Sequence, residues 1–209
     1  MHRRIFVMGL LGLGSAALPA AGDAAKPIIA LQPLGDLAAK EVAAAQAGIL
    51  AVYAVEVRVV PKLALPPAAF YPPRQRYRAE KLLDFLGEDH GMGFEPVKIV
   101  GLTAVDISTT KDDVKDWGVL GLGTLDGSTC VISTFRLGAR KASATKRIER
   151  LIKVVNHEIG HTFGLEHCPT PHCLMEDAKG TIATVDAEDG AFCPACRQRL
   201  GKALKTPAP

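Results

Sequence analysis

The chain has 209 residues, of which 48% are hydrophobic and 22% are charged. This length suits one well-buried domain, and the composition excludes a chain that is disordered throughout. The formal net charge of +3 at pH 7 is not gathered into a basic stripe with interleaved aromatic residues, so nucleic acid is not an expected partner.

The N-terminal 25 residues have the layout of an export signal. A basic start at Arg3 and Arg4 precedes an apolar run and then small residues, and the run is too short to span a bilayer comfortably. The pair also resembles a twin-arginine signal, which serves proteins that fold before export. We therefore expect a signal peptide at 1–25, no stable membrane insertion after its cleavage, and a periplasmic or secreted protein with a net charge of about +1 or +2. A buried N-terminal helix is the alternative interpretation.

The remaining sequence predicts one mixed α/β domain over residues 26–205, since strands and helices follow one another without a repeat or a linker. In its first half the expected elements are a strand at 26–35, an Ala-rich helix at 36–48 that Asp36 caps and Gly48 ends, a β-branched strand at 49–60, a proline-rich connector at 61–73 and a helix at 74–88.

The second half is expected to contain strands at 97–107, 118–125 and 128–137. The last two should form a hairpin, because an Asp-Gly pair between apolar runs is a strong turn signal. The longest helix is predicted at 143–163. Its buried face is marked by apolar residues at helical spacing, namely Ile148, Ile152, Val155, Ile159 and Phe163.

The stretch HEIGHTFGLEH, which begins at residue 157, carries a metal-binding pattern. His157 and His161 lie one helical turn apart, so both imidazoles can reach one ion. Gly164 can end the helix with a positive φ and reverse the chain, so that His167 reaches the same ion. Three neutral imidazoles with an open fourth position are typical of catalytic zinc, and HExxHxxGxxH is the metzincin pattern. HExxH alone would also suit an amphipathic helix with two surface histidines.

Glu158 is the candidate general base. It is rotated off the axis of the two histidines, so it can contact a zinc-bound water rather than the metal. Zinc would lower the pKa of this water toward about 7 and polarise the scissile carbonyl. Glu158 would take the proton of the water and pass it to the leaving amine. The expected reaction is peptide hydrolysis without a covalent intermediate, although amide or ester hydrolysis would use the same groups.

A second set of candidate ligands follows directly. Its members are Cys168, Cys173, Cys193 and Cys196. Four thiolates around one tetrahedral zinc would pin the C-terminal tail beside the catalytic site. Two disulfides are the alternative, which an oxidising compartment favours, and His172 is a competing ligand. Cys130 lies in a predicted strand and is interpreted as a buried apolar residue.

The combined pattern HExxHxxGxxHC-x4-C-x-M-x17-CxxC resembles that of the archaemetzincins, a small branch of the metzincin metalloproteases. Weaker similarities in PIIALQPLG, RQRYRAEKLLDFL and VISTFRL extend the resemblance over residues 27–198. It implies a zincin/metzincin-like domain with a mixed twisted sheet, a long active-site helix and two zinc ions. The catalytic zinc would lie on the three histidines and the structural zinc on the four cysteines, with Met175 packing beneath the ligands as the Met-turn residue. The relatives are mostly intracellular, so the predicted export departs from the family.

The substrate is expected to be a peptide or an unfolded protein chain, which a monomeric enzyme would bind. Residues 128–135 are the candidate edge strand that pairs with the substrate main chain. Candidate cleft walls are Phe163, Leu165 and the connector at 61–73, and Tyr71 or Tyr77 could assist the oxyanion. A zinc-binding protein with little turnover is the alternative, but such a protein would not need a general base.

Overall fold

The structure, a computed structural model, describes residues 26–204. The predicted signal peptide and residues 205–209 lie outside this part of the chain. The strands are β1 (Ile28–Leu34), β2 (Glu56–Val59), β3 (Phe70–Tyr71), β4 (Arg76–Arg78), β5 (Lys98–Thr103), β6 (Ile107–Lys111), β7 (Val114–Val119), β8 (Gly121–Gly123) and β9 (Thr129–Ser133). The α-helices are α1 (Ala39–Val52), α2 (Ala79–Leu86), α3 (Ala144–Thr162), α4 (Ile182–Ala187) and α5 (Pro194–Ala203). Within residues 26–204, no helix is both long and apolar enough to cross a membrane.

A five-stranded sheet forms the centre of the molecule, in the order β2-β1-β5-β9-β8. Neighbouring strands are parallel except at β8, which is antiparallel to β9. Because side chains alternate along a strand, Cys130 and Ile132 join the core with α1 and α3, whereas Val131 joins the core with α2. The expected mixed α/β fold, the hairpin at Asp126-Gly127 and the burial of Cys130 are therefore confirmed.

The predicted strand at 97–107 is divided between two sheets. β5 ends at Thr103, and the chain turns through Asp106 into β6, which belongs to a second sheet of order β3-β4-β6-β7. The turn is held by Asp106, whose carboxylate accepts hydrogen bonds from Arg76 and Arg136 at 2.7 Å each. The β6–β7 hairpin was not predicted, because its polar residues give no apolar run and its turn relies on Asp112 with a positive φ of 51°.

The helix predicted at 36–48 continues to Val52, and only Glu56–Val59 of the strand predicted at 49–60 is extended. Gly48 does not end the helix. A Cβ at this position would lie 2.9 Å from Cγ2 of Ile152, so the glycine allows α1 to pack closely against α3. Asp36 does not cap the helix either, since the N-cap residue is Ala38 without a side-chain cap.

The predicted long helix agrees with α3, which starts after Ser143. The Ser143 hydroxyl accepts a hydrogen bond from the Lys146 N–H and caps the helix. The buried surface is wider than the predicted stripe and includes polar residues such as Arg150 and Glu158, whereas Ile148 and Ile152 are only half-buried. This difference follows from the packing of sheet, loops and α4 around several sides of α3.

Candidate functional site

Helix α3 and the turn after it bring three imidazoles together. His157 and His161 lie one turn apart with their Nε2 atoms separated by 3.1 Å. Gly164, with a φ of +76°, ends the helix, and the Leu165 N–H donates to the Gly160 carbonyl in a Schellman-type cap. The reversed chain then carries His167 back, and one nitrogen from each imidazole lies within 4.8 Å of the others.

Hydrogen bonds fix the tautomers of His157 and His161. Nδ1 of His157 lies 2.7 Å from the Leu174 carbonyl, and Nδ1 of His161 lies 2.7 Å from the Leu165 carbonyl. A carbonyl oxygen only accepts, so each Nδ1 carries the proton and each Nε2 presents a lone pair. Two lone pairs at this separation repel one another unless a cation lies between them. Imidazole nitrogens at 2.0–2.1 Å from a tetrahedral zinc would be about 3.3 Å apart, so the donor set fits zinc.

Burial keeps two of these imidazoles neutral. Desolvation, together with the neighbouring His161, lowers the pKa of His157 to about 4. Desolvation also lowers the pKa of His161. The neutral form is the one that ligates a metal.

Glu158 is buried between α3 and the edge of the sheet. A Cβ at Gly121 would lie 2.6 Å from the Glu158 Cγ, and a Cβ at Gly123 would lie 2.6 Å from the Glu158 main-chain oxygen. The two glycines of β8 therefore allow the strand to approach the helix. Desolvation raises the pKa of Glu158 to about 8, while a hydrogen bond from the Gly123 N–H acts in the opposite direction.

Met175 is fully buried beneath the histidines. Its sulfur occupies the space that a side chain at Gly160 would need, since a Cβ there would lie 2.5 Å from Sδ. The carbonyl of the preceding Leu174 accepts the His157 proton. The segment thus fills the floor of the site and orients one imidazole, with the Met175 side chain packing on the helix.

The four cysteines predicted as a second site form one cluster. Their sulfurs all lie within 4.8 Å of one another, and none of them is in a disulfide. His172 is outside this cluster, since its Nδ1 lies 2.7 Å from the Ala187 carbonyl. Tetrahedral zinc requires a single compact group of four sulfurs. The alternative of two disulfides would require two bonded pairs instead.

Backbone N–H groups favour thiolates in this cluster. The Cys196 N–H is the main group that lowers the pKa of Cys193 to about 6. The Cys193 N–H donates to the Cys173 sulfur at 3.3 Å. Burial raises the pKa of Cys173 and Cys196, so a cation is needed to keep all four sulfurs ionised together.

The histidines and Glu158 lie in an open cleft of about 510 Å³. Its lining includes β8, the β6–β7 hairpin and the loop at 177–180. A Cβ at Gly180 would lie 3.1 Å from Cζ2 of Trp117, so the loop and the hairpin touch. Neither the hairpin nor the loop was predicted from the sequence as part of the site. The one feature that could have indicated the hairpin is Trp117, the single tryptophan of the chain.

The edge strand was wrongly predicted. Residues 128–135 contain β9, which lies between β5 and β8, so the edge of the sheet beside the cleft is β8. The hairpin signal correctly paired the two strands but could not tell which one also pairs with β5. The strand predicted at 128–137 is shorter in the structure. It ends at Ser133, and a 3-10 segment, Phe135–Lys141, follows it.

The residues predicted as cleft walls, and the two tyrosines predicted to assist the oxyanion, do not line the cleft. Phe163 stacks on Tyr53 with ring centroids 5.8 Å apart, and Leu165 is buried in the core. Tyr77 packs against Phe70 instead of facing the histidines. The connector at 61–73 and Tyr71 are likewise outside the cleft lining.

Similarity to known proteins identifies the family. The profile of peptidase family M54 matches residues 40–202, most of the chain. The chain belongs to this family. The M54 chain is 35% identical to the archaemetzincin of Haloquadratum walsbyi over 180 residues, which cover 83% of this chain and 99% of the relative. It is 33% identical to the archaemetzincin of Haloarcula marismortui, with coverage of 80% and 96%.

Solved structures agree. The archaemetzincin of Methanopyrus kandleri superposes with a TM-score of 0.74 at 30% identity, covering 90% of this chain and 100% of that one. The malonate complex of the Archaeoglobus fulgidus archaemetzincin gives 0.69 at 27% identity, with coverage of 82% and 99%. The resemblance noted in the sequence is therefore confirmed, and this M54 protein is a zinc metallopeptidase, a hydrolase that acts on peptide substrates.

Proposed function

We propose that this M54 protein cleaves short or unstructured peptides as a monomer, with His157, His161 and His167 as ligands of a catalytic zinc and Glu158 as the general base. The observation that carries this proposal is the convergence of three imidazole nitrogens beside a buried carboxyl group in an open cleft. No other group of residues in the described part of the chain combines candidate metal ligands, a candidate base and a cleft open to a peptide chain.

The roles of the residues follow from their positions. When bound, zinc lowers the pKa of a water molecule and polarises the scissile carbonyl. Glu158 removes a proton from the attacking water through its carboxylate and gives it to the leaving amine. A pKa raised toward neutrality suits both transfers. The Gly123 N–H, which donates to this carboxylate, holds it in place.

The edge strand β8 is the proposed docking site for the substrate main chain. All three of its residues line the cleft. In the sheet, β8 pairs with β9 along one edge, and its other edge has no neighbouring strand among the described residues. An extended peptide could add to this edge by main-chain hydrogen bonds, which give affinity with little sequence preference. This assignment replaces the segment at 128–135.

A second zinc, held by the four cysteines, is proposed to be structural. His167 and Cys168 are adjacent in sequence, so a metal on the cysteine cluster would fix the segment that supplies the third imidazole. We also propose that residues 1–25 direct export, which a chain shortened by about 25 residues in the exported fraction would support.

Replacement of Glu158 by glutamine tests the chemistry. Glu158→Gln keeps the side-chain shape but cannot accept the proton, so kcat should fall by at least about 100-fold. Zinc content should not change, because the ligands are intact. Persistent cleavage of a peptide library by this variant would contradict the mechanism. A wild-type protein that binds zinc and peptides yet never cleaves them would instead favour the alternative, a binding protein.

Metal and thiol analysis tests the second site. We expect two zinc ions per wild-type chain, thiols that become reactive only after chelation, and one zinc in a Cys196→Ser variant. Mass spectrometry of the denatured protein is the control, because one zinc with two disulfides would exclude the four-thiolate site.

A further inference from the structure

One part of the cleft lining, which we call the recess, is buried and does not include the catalytic residues. Three lining residues there, Val154, Val185 and Glu188, are each 5% exposed or less. Elsewhere the lining includes exposed residues such as Leu125 and Lys179. Val154 lies three positions before His157 on α3, so it is adjacent to the first metal-binding imidazole on the same helix. The recess therefore begins within one helical turn of the site of hydrolysis.

Glu188 is an unusual residue for such a recess. It directly follows α4 and has no hydrogen bond or ion pair to its carboxyl group from any residue among 26–204. By contrast, the similarly buried Glu41 pairs with Arg147 at 3.2 Å. An unpaired carboxylate loses solvation on burial without compensation. Such a group in a binding cleft is therefore a candidate for contact with a ligand.

The neighbouring cation does not fill this role. The Lys153 ammonium donates to the main-chain oxygens of Val185 and Glu188 and thereby fixes the end of α4. It is not within ion-pair distance of the Glu188 carboxylate. Burial raises the pKa of Glu188 to about 8, the charge of Lys153 opposes this, and Glu176 adds to it. An additional cation in the recess would favour the ionised form.

We propose that Glu188 selects peptides that carry lysine or arginine next to the cleaved bond, by binding the cationic head group in the recess. The aliphatic stem of such a side chain would lie against Val154 and Val185, as long basic side chains do on apolar surfaces. The charged end would reach the Glu188 carboxylate and give it the partner that it lacks within the protein. This inference rests on the proposed peptidase function.

Peptides that differ in one residue beside the scissile bond provide the test. The wild-type protein is compared on substrates with lysine, arginine, norleucine, glutamine or glutamate at that position, on each side of the bond. We expect kcat/KM for the basic peptides to exceed that for norleucine by on the order of tenfold to a hundredfold, the range of a charged hydrogen bond. Norleucine has the lysine stem without the charge, so this ratio isolates the contribution of the ammonium group.

Glu188→Gln should remove this preference while cleavage of the norleucine peptide remains. Asp189→Asn is the matched control, since it removes one negative charge from the adjacent exposed residue and should leave the preference intact. Glu188→Met, which can pack against the two valines, replaces the glutamine variant if thermal unfolding shows that the latter is not folded.

Binding of labelled peptides to the zinc-loaded Glu158→Gln variant gives a readout that does not depend on turnover. The lysine peptide should bind more tightly than the norleucine peptide, and the additional Glu188→Gln change should equalise them. Equal kcat/KM values, a preference for glutamine, or a basic preference that survives Glu188→Gln would each overturn the inference while the peptidase function stands. Absence of cleavage of every peptide would instead contradict the proposed function.

Discussion

At the residue scale, the site depends on positions where a side chain is absent. Gly121 and Gly123 allow the carboxyl group of Glu158 to lie against the edge strand, and Gly160 makes room for the Met175 sulfur. These glycines are not in turns, and their φ angles are negative or extended, so conformational freedom does not explain them. Close approach of two elements explains them, and it places Glu158, the proposed general base, and the floor of the site.

Gly121→Ala is expected to disturb catalysis more than folding. The added methyl group would lie within 2.7 Å of the Glu158 Cγ and Oε1 and would displace the carboxylate. A displacement of about 1 Å at a reacting group can lower kcat by about 100-fold. Zinc content should stay at the wild-type level. Steady-state kinetics with metal analysis measures both, and Gly138→Ala is the control because a Cβ there has no contact closer than 3.8 Å.

At the element scale, α3 joins the sheet, α1, α4 and both candidate metal sites. Its N-terminal half packs against α1 at a close crossing, where Gly48 meets Ile152. The Tyr53 hydroxyl donates to the Asn156 main-chain oxygen at 2.7 Å, and the Asn156 amide donates to the Gly48 carbonyl at 3.1 Å. Its C-terminal half carries His157 and His161, so the crossing helps to position these candidate ligands.

Gly48→Ala should destabilise the protein even though alanine is the better helix former. The propensity gain is about 1 kcal/mol, while overpacking against Ile152 costs about 1–3 kcal/mol, so a net loss of about 1 kcal/mol in unfolding free energy is expected. In an Ile152→Ala background the clash is absent, and Gly48→Ala should be neutral or stabilising. Urea unfolding of the wild-type protein, the two single variants and the double variant measures this cycle. Additive changes in the unfolding free energy would refute the close crossing.

At the scale of the whole molecule, the C-terminal segment is attached to the α/β core by a buried arginine. Arg150 donates to both oxygens of Asp186 at 2.8 and 2.7 Å, and to the Leu137 and Ala139 carbonyls. It thus links α3, the 3-10 segment and α4. Because α4 also leads to Glu188 and the second cysteine pair, this link ties the core to both candidate sites.

Arg150→Met should lower the unfolding free energy by about 3 kcal/mol, because four acceptors lose their partner. Arg150 lowers the pKa of Asp186 through a hydrogen bond and its charge. A carboxyl group whose pKa is lowered by folding stabilises above its unfolded pKa of about 3.9 and loses this contribution as pH falls below it. The wild-type protein should therefore lose stability more steeply than Arg150→Met below about pH 4. Thermal unfolding against pH measures this, and parallel curves would contradict the assignment.

Local signals in the sequence determined the long helix, the glycine that ends it, the Asp-Gly hairpin and the spacing of the candidate ligands. Each of these depends on neighbours within a few positions, so the chain itself contains the information. The same holds for the resemblance to the archaemetzincins, which rests on fixed spacing between His157 and Cys196.

Only the tertiary structure decided the features that depend on distant segments. The residues of β8 do not indicate that it is the edge strand. Its place at the edge depends on β9, which pairs with β5 on its other side. The role of Gly48 depended on Ile152, more than a hundred positions away, and the cleft walls depended on a polar hairpin without an apolar pattern. The recess at Glu188 likewise exists only because α4 folds back against α3. Local geometry can be read from a sequence, but packing between segments requires knowing which surfaces meet.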